Sequence, residues 1–166
     1  MDFRTSLRGA VALALIGATL IGCSRGGGGN RELDCMQRAI YFEANRSSRV
    51  GMIAVGNVVM NRVRSDQFPN SICGVVGQKN QFAPGVLRRE MRALPDVHSA
   101  AVSVMRGERA PGIGNAMFFH THGYRFGYDN MHYVLTAGGN AFYEKRKSHL
   151  VRQRAPLPPI DGIRGR

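Results

Sequence analysis

A carboxylate at the end of an apolar helical stripe is the feature of this sequence with the clearest chemistry. In CMQRAIYFEA, Cys35 to Ala44, the apolar residues Met36, Ala39 and Ile40 precede Glu43 at helical spacing. Glu43 stands where a core-facing stripe would place its next apolar residue. Beside Phe42, Ile40 and Met36 its ionised form would be poorly solvated, which raises a carboxylic pKa and keeps a proton available near neutral pH. That is the character of a general acid. The plainer alternative is a frayed helix end where Glu43 turns to solvent or pairs with Arg46 or Arg49, whose charge would pull the pKa the other way. Pattern alone leaves both open.

Other polar residues gather around the same chemistry. After N-cap candidates Ser47 and Ser48, the run Met52, Ile53, Val55, Val58, Val59, Met60 and Val63 forms a helix that is apolar almost all round and belongs inside a domain. Its polar positions Asn57, Asn61 and Arg64 recur at four and three, so they share one side. There Asn61 could meet a ligand in a cleft, or cap a neighbouring loop, since buried amides need partners. In Lys79 to Gly85 an irregular loop carries Gln81 and Phe82, and loops on a rigid scaffold often carry binding groups. In MFFHTHGY, Met117 to Tyr124, the alternation of a short strand points His120 and His122 the same way. A His-x-His pair invites zinc, but two ligands do not make a site, and a third from His132 or Glu43 has no supporting spacing. No metal and no cofactor is expected.

The remaining elements serve as scaffold. Ile72 to Val76 is a short helix or extended piece, and Pro95-Asp96 starts a helix whose core stripe is Val97, Ala100, Ala101, Val104 and Met105. His98 falls off that stripe. Val134-Leu135 is a short strand, Gly138-Gly139 a turn, and Asn140 to Tyr143 closes the domain.

The pieces IYFEANRSSRVGMIAVGNVVMNRV, FPNSICGVVGQ followed by QF, FFHTHGY and NAFY, in this order from Cys35 to Tyr143, resemble the bacterial cell-wall hydrolase family that includes the spore-cortex-lytic enzymes. The resemblance implies a lysozyme-like, mainly helical (α+β) fold, with the small β element near residues 115–143. It implies cleavage of peptidoglycan glycan strands, with Glu43 at the place of the catalytic glutamate. It matches Gln81 and Phe82 to the family's Gln-Phe, an amide for sugar hydroxyls and a ring for a pyranose face. For Phe82 the alternative is a core plug beneath the loop. The family commonly has Ser after this Phe, and Ala83 departs from it. The His120–His122 run matches a cleft-lining segment of the family, so His120 is expected to hydrogen-bond sugar, the alternative being a packed core histidine.

The beginning of the chain reads as a targeting segment. Arg4 and Arg8 precede the apolar run Ala10 to Ile21, which is short for a membrane span, and Leu20-Ile21-Gly22-Cys23 looks like a lipoprotein cleavage box. The expected organisation is a signal peptide over residues 1–22, a flexible tether over 23–33 starting at lipidated Cys23, a catalytic domain over 34–145, and a disordered basic Pro/Arg-rich tail over 146–166. An uncleaved membrane anchor is the alternative. Either places the domain in the cell envelope, on the periplasmic side. There Cys35 and Cys73 remain as an even pair in an oxidising compartment, and a disulfide between them is expected, the alternative being two buried thiols.

With 23 Lys+Arg against 11 Asp+Glu, the formal charge of +12 suits an acidic polymer. Charge alone would equally suit nucleic acid; export argues against it and toward peptidoglycan with its anionic neighbours. The expected function is cleavage between N-acetylmuramic acid and N-acetylglucosamine by an envelope-anchored lipoprotein. A standard glycosidase needs a second carboxylate. Between Glu43 and Tyr128 there are Asp66, Glu90, Asp96 and Glu108, none in a recognisable motif position. This favours the one-carboxylate mechanism of a lytic transglycosylase. A non-catalytic peptidoglycan-binding lipoprotein and a zinc-dependent envelope hydrolase on His120, His122 and Glu43 are the rival readings.

Overall fold

The computed structural model describes residues 26–44 and 46–164. The leader expected over residues 1–22 and the lipidation position Cys23 lie outside the described residues. Helix α2, Arg49–Val63, is the element the rest surrounds, and every residue from Gly51 to Val59 is buried. A helix apolar on all faces has no side that water favours, so its sequence requires partners all round. Ser48 caps it by accepting the Gly51 N–H at 3.1 Å.

Two further helices supply the partners. On α1, Gly26–Ala44, the stripe Met36, Ala39 and Ile40 is fully buried, and Glu43 follows on the same face, half-buried. On α4, Pro95–Met105, the residues Val97, Ala100, Ala101 and Val104 are buried, while Met105, expected in that stripe, is exposed. A short helix, α3, spans Ile72–Val76. Cys35 on α1 and Cys73 on α3 form a disulfide across a sequence separation of 38.

The tether does not extend to residue 33. Residues from Gly26 onward belong to α1, against the weak helix propensity of glycine. The physical reason lies in contacts beyond the disulfide. The Glu32 carboxylate accepts the N–H groups of Ile72 (2.6 Å) and Cys73 (3.3 Å) at the start of α3, and Leu33 packs on the core.

Three antiparallel strands, β1 (Phe118–Thr121), β2 (Met131–Ala137) and β3 (Asn140–Lys145), form a sheet in the order β1-β3-β2. Gly138 and Gly139 join β2 to β3 at φ of +59° and +80°, the left-handed conformation that a two-residue hairpin turn demands. This turn touches the first turn of α2. A Cβ built on Gly51 would lie 2.6 Å from the Gly138 Cα, so two backbones meet here with no room for a side chain on either.

The basic C-terminal segment is ordered to residue 164 instead of forming a disordered tail. In the sheet order β2 is an edge strand, which leaves a row of unpaired backbone groups. The segment takes them up: Tyr133 N–H donates to Gln153 O at 3.0 Å, and Ile160 N–H donates to Thr136 O at 3.0 Å. Val151 is buried, and the Asp161 carboxylate accepts both the Gly138 N–H at 2.6 Å and the Ser48 hydroxyl. The folded domain therefore runs well past the expected boundary at residue 145.

Candidate active site

Glu43 sits in the last turn of α1, with its stripe neighbours in the core behind it. In front lies the Gln81–Ala83 loop, whose Ala83 N–H donates to Glu43 Oε1 at 2.8 Å. Burial pushes the Glu43 carboxyl above its ordinary value of 4.5, and the Ala83 N–H opposes that without cancelling it. Of the two arginines that could have held it down, Arg46 borders the first lobe without an ion pair to Glu43, and Arg49 is engaged elsewhere. Arg49 pairs with Glu108 on both carboxylate oxygens and donates to the Ser103 hydroxyl at 3.1 Å. Among the described residues no salt bridge reaches Glu43.

Glu43 lies at the meeting point of two open lobes. The first, about 560 Å³, is bordered by Tyr41, Arg46, Arg89, Glu90 and the chain's Ile163–Arg164. The second, about 660 Å³, is bordered by Gln81, Phe82, Phe119, His120, Tyr124 and Phe126. Phe42, Glu43, Thr121 and Asn140 line both, so the lobes form one groove that passes the carboxyl. Thr121 and Asn140 are paired across β1 and β3, which fixes that wall through the sheet. The first lobe has a cationic border suited to anionic groups, and the second is rich in rings.

Gln81, Phe82 and His120 are thus brought to the same lobe as Glu43, with qualifications set by their contacts. Gln81 is exposed and free to meet a ligand. Phe82 is 8% exposed and packs under the Arg62 guanidinium, 5.4 Å from ring centroid to the guanidinium carbon, so it is chiefly a core plug that also walls the lobe. The His120 ring nitrogens have partners already, the Thr121 carbonyl at 2.9 Å from Nδ1 and the Tyr133 hydroxyl at 2.8 Å from Nε2. That pairing calls for the proton on Nδ1 and makes His120 a packed, networked histidine whose ring faces the lobe.

Asn61 and His122 are not brought to the groove. Asn61 is buried, donating to Gly114 O (3.1 Å) and Ala116 O (2.8 Å) and accepting from Arg109 (3.2 Å). One turn earlier, Asn57 donates to Glu108 O and accepts the Ala110 N–H, both at 2.8 Å. The polar side of α2 therefore fastens the 108–116 loop, because buried amides take whatever backbone lies against them. His122 borders neither lobe, and its N–H donates to Gly139 O at 2.8 Å. Among the described residues no three His, Cys, Asp or Glu side chains cluster in the way a metal ion requires.

Arg62 is the residue that reading the helix pattern passed over. It is 3% exposed and borders the second lobe; its guanidinium carbon is 5.0, 5.4 and 5.5 Å from the ring centroids of Phe68, Phe82 and Phe118. Its Nε donates to Met117 O at 2.7 Å, Nη1 is buried without a partner, and burial brings its pKa down to about 10. A charged residue inside a helix buried almost all round was the available signal. Of the other carboxylates, Glu90 shares the first lobe, Glu108 is committed to Arg49, and Asp66 and Asp96 border neither lobe.

Comparison with known proteins bears on the family and the fold. A family profile described as cell wall hydrolase matches residues 46–143, beginning just after Glu43. The spore cortex-lytic enzyme of Bacillus subtilis (strain 168) is 37% identical over 57 residues, 34% of this chain and 19% of that protein. The spore cortex-lytic enzyme of Halalkalibacterium halodurans is 28% identical over 93 residues, 55% of this chain and 28% of that protein. The chain thus spans well under half the length of these relatives. Among solved structures, the catalytic domain of a germination-specific lytic transglycosylase, SleB, from Bacillus anthracis matches with TM-score 0.61 and 23% identity, over 72% of this chain and 98% of that one. The catalytic domain of the Bacillus cereus SleB protein matches with TM-score 0.62 and 23% identity, over 72% and 94%. The lysozyme-like fold expected from the sequence is the fold found.

Proposed function

The chain belongs to the cell wall hydrolase family, and from that premise we propose that its groove takes a peptidoglycan glycan strand and that Glu43 is the general acid that cleaves it. The observation that carries this reading is the state of Glu43: half-buried, on an apolar stripe, at the junction of both lobes, with one oxygen fixed by a backbone N–H. Oε1 accepts from Ala83, which leaves Oε2 to hold the proton. That proton passes to the glycosidic oxygen as the C1–O bond breaks through an oxocarbenium-like state. The Ala83 N–H then stabilises the carboxylate left behind. In the lytic transglycosylase course, that carboxylate takes the proton from the sugar's own 6-hydroxyl as its oxygen closes on C1, giving a 1,6-anhydro end.

The distribution of carboxylates supports the one-carboxylate course, since Glu108 is tied to Arg49 while Asp66 and Asp96 border neither lobe. A second reading rests on Glu90, which shares the first lobe with Glu43 and could activate water there, giving simple hydrolysis. The lipobox-like Leu20 to Cys23 and the basic charge favour an envelope lipoprotein anchored by Cys23 and facing peptidoglycan from the periplasmic side. Mass spectrometry of fragments released from purified sacculi tests the cleavage. Anhydro ends are the expected result; reducing ends would shift the assignment to Glu43 with Glu90; no release would leave a binding module.

A further inference from the structure

The loop from β1 to β2 carries aromatic residues at alternate positions, Tyr124, Phe126 and Tyr128. In extended chain that spacing turns side chains to one side. The rings form a row: Tyr124 to Phe126 is 6.4 Å between centroids with planes 23° apart, and Phe126 to Tyr128 is 6.0 Å with planes 17° apart. All three are exposed, at 63%, 46% and 72%. Aromatic rings contiguous on a surface and left to water are the mark of a binding face, because burial there is favourable as soon as a partner arrives.

The row is anchored to the groove at its inner end. Phe126 meets the His120 ring edge-on at 4.9 Å, and both Tyr124 and Phe126 border the lobe that holds Glu43. Tyr128 continues the line beyond that lobe. At the far side, Arg154 donates to Asp129 O at 3.2 Å, tying the loop to the C-terminal segment. We propose that Tyr124, Phe126 and Tyr128 form an extended carbohydrate-binding strip that leads the glycan strand from the wall of the second lobe to Tyr128 outside the groove, a role that rests on the proposed function above.

The occupant follows from shape and continuity. A β-1,4 glycan is an extended ribbon whose successive sugar rings present flat C–H faces at regular intervals, which suits rings held nearly parallel in a row. The tyrosine hydroxyls at the ring edges offer hydrogen bonds to sugar hydroxyls while the ring bodies remain apolar. A strand leaving the second lobe past Phe126 would meet Tyr128 next.

Binding of the full chain carrying Glu43→Gln, which prevents turnover, separates the outcomes when measured on purified sacculi and on soluble glycan strands freed of stem peptides. Adding Tyr128→Ala is expected to weaken binding to long strands by about two- to ten-fold, and adding Tyr124→Ala as well to weaken it further, whereas Tyr128→Phe, which keeps the ring and loses only the hydroxyl, weakens it less than Tyr128→Ala. Since Tyr128 is 72% exposed, thermal melting of Tyr128→Ala should match the parent and exclude a folding effect. Parent-like binding by both alanine variants overturns the strip. So does a loss seen on phospholipid vesicles and not on sacculi, which would mark a membrane contact. Fragment release by the unmodified chain reads the proposed function separately: release with unaffected strip variants removes the strip alone, binding through the strip without release removes the catalytic reading alone, and neither binding nor release removes both.

Discussion

Ala83 holds Glu43 through its backbone: the N–H donates to Oε1 at 2.8 Å, and the Ala83 side chain takes no part in that bond. The departure from the serine common at this position of the family therefore leaves the contact intact. Ala83→Ser is expected to keep fragment release within a few-fold of the parent. Ala83→Pro removes the N–H and the roughly 1.5–3 kcal/mol that a hydrogen bond to a charged group contributes, so release should fall about ten-fold or more. Release rates on sacculi check both, and equal rates for Ala83→Pro would exclude a role for the bond.

Glu43→Gln keeps size and hydrogen bonding but has no proton to transfer. It should lower release by about a hundred-fold or more, as general acids do, and further because one residue serves both steps. Asp66→Asn, at a carboxylate outside both lobes, should stay near the parent rate. Glu90→Gln decides between courses: a large loss together with reducing-end products would assign it as the second carboxylate.

The raised pKa of Glu43 has a definite sign in stability. A carboxyl that holds its proton more tightly folded than unfolded favours the fold below the ordinary value of 4.5, and that advantage is lost as pH rises through the folded pKa. Glu43→Gln should therefore gain stability relative to the parent as pH rises from below 4.5 through the folded pKa of Glu43. Denaturant unfolding at both ends of that window checks it; a constant difference would mean the pKa is not raised. The pH profile of release should carry its basic limb above the usual carboxylate range.

The disulfide ties the helix bearing Glu43 to α3 across 38 residues. In the chain-entropy account such a loop contributes roughly 4 kcal/mol. Cys35→Ser with Cys73→Ser should lower the unfolding free energy by an amount up to that figure, and non-reducing peptide mapping of the parent should recover the two cysteines in one linked fragment. Free thiols in protein made in an oxidising compartment would remove the bond from the account.

Asn61→Leu should show its effect in folding. It leaves the buried Ala116 carbonyl without its donor, at about 1–3 kcal/mol, and takes one of two donors from the Gly114 carbonyl, which keeps Arg109. A marked fall in Tm is expected, with sacculus binding by the folded fraction unchanged. Weaker binding at unchanged Tm would return Asn61 to the ligand.

Local patterns were legible in the sequence and long-range partners were not. The burial of α2 follows from a helix apolar on every side, the buried stripe Met36, Ala39 and Ile40 from its helical spacing, and the hairpin from Gly138-Gly139, because each depends on residues close in sequence. Asn61 shows the limit: its side of the helix was evident, but whether loop or ligand would meet it depended on residues far along the chain. The C-terminal segment shows the same limit. Its Arg/Pro composition resembles disorder, and what orders it is the open edge of β2. Arg62 lies against the ring of nearby Phe68 and against those of Phe82 and Phe118 from segments farther along, so no short window of the chain contains its whole environment.

The contact of Gly51 with Gly138 extends beyond this one molecule. With a Cβ on either residue 2.6 to 2.8 Å from the other's Cα, neither position can change while the other stays as it is and the helix and hairpin keep their distance. Across homologues the two positions should therefore drift as a unit, both glycine or both replaced along with a changed turn, and their covariation would record this helix–hairpin seam without any structure being solved.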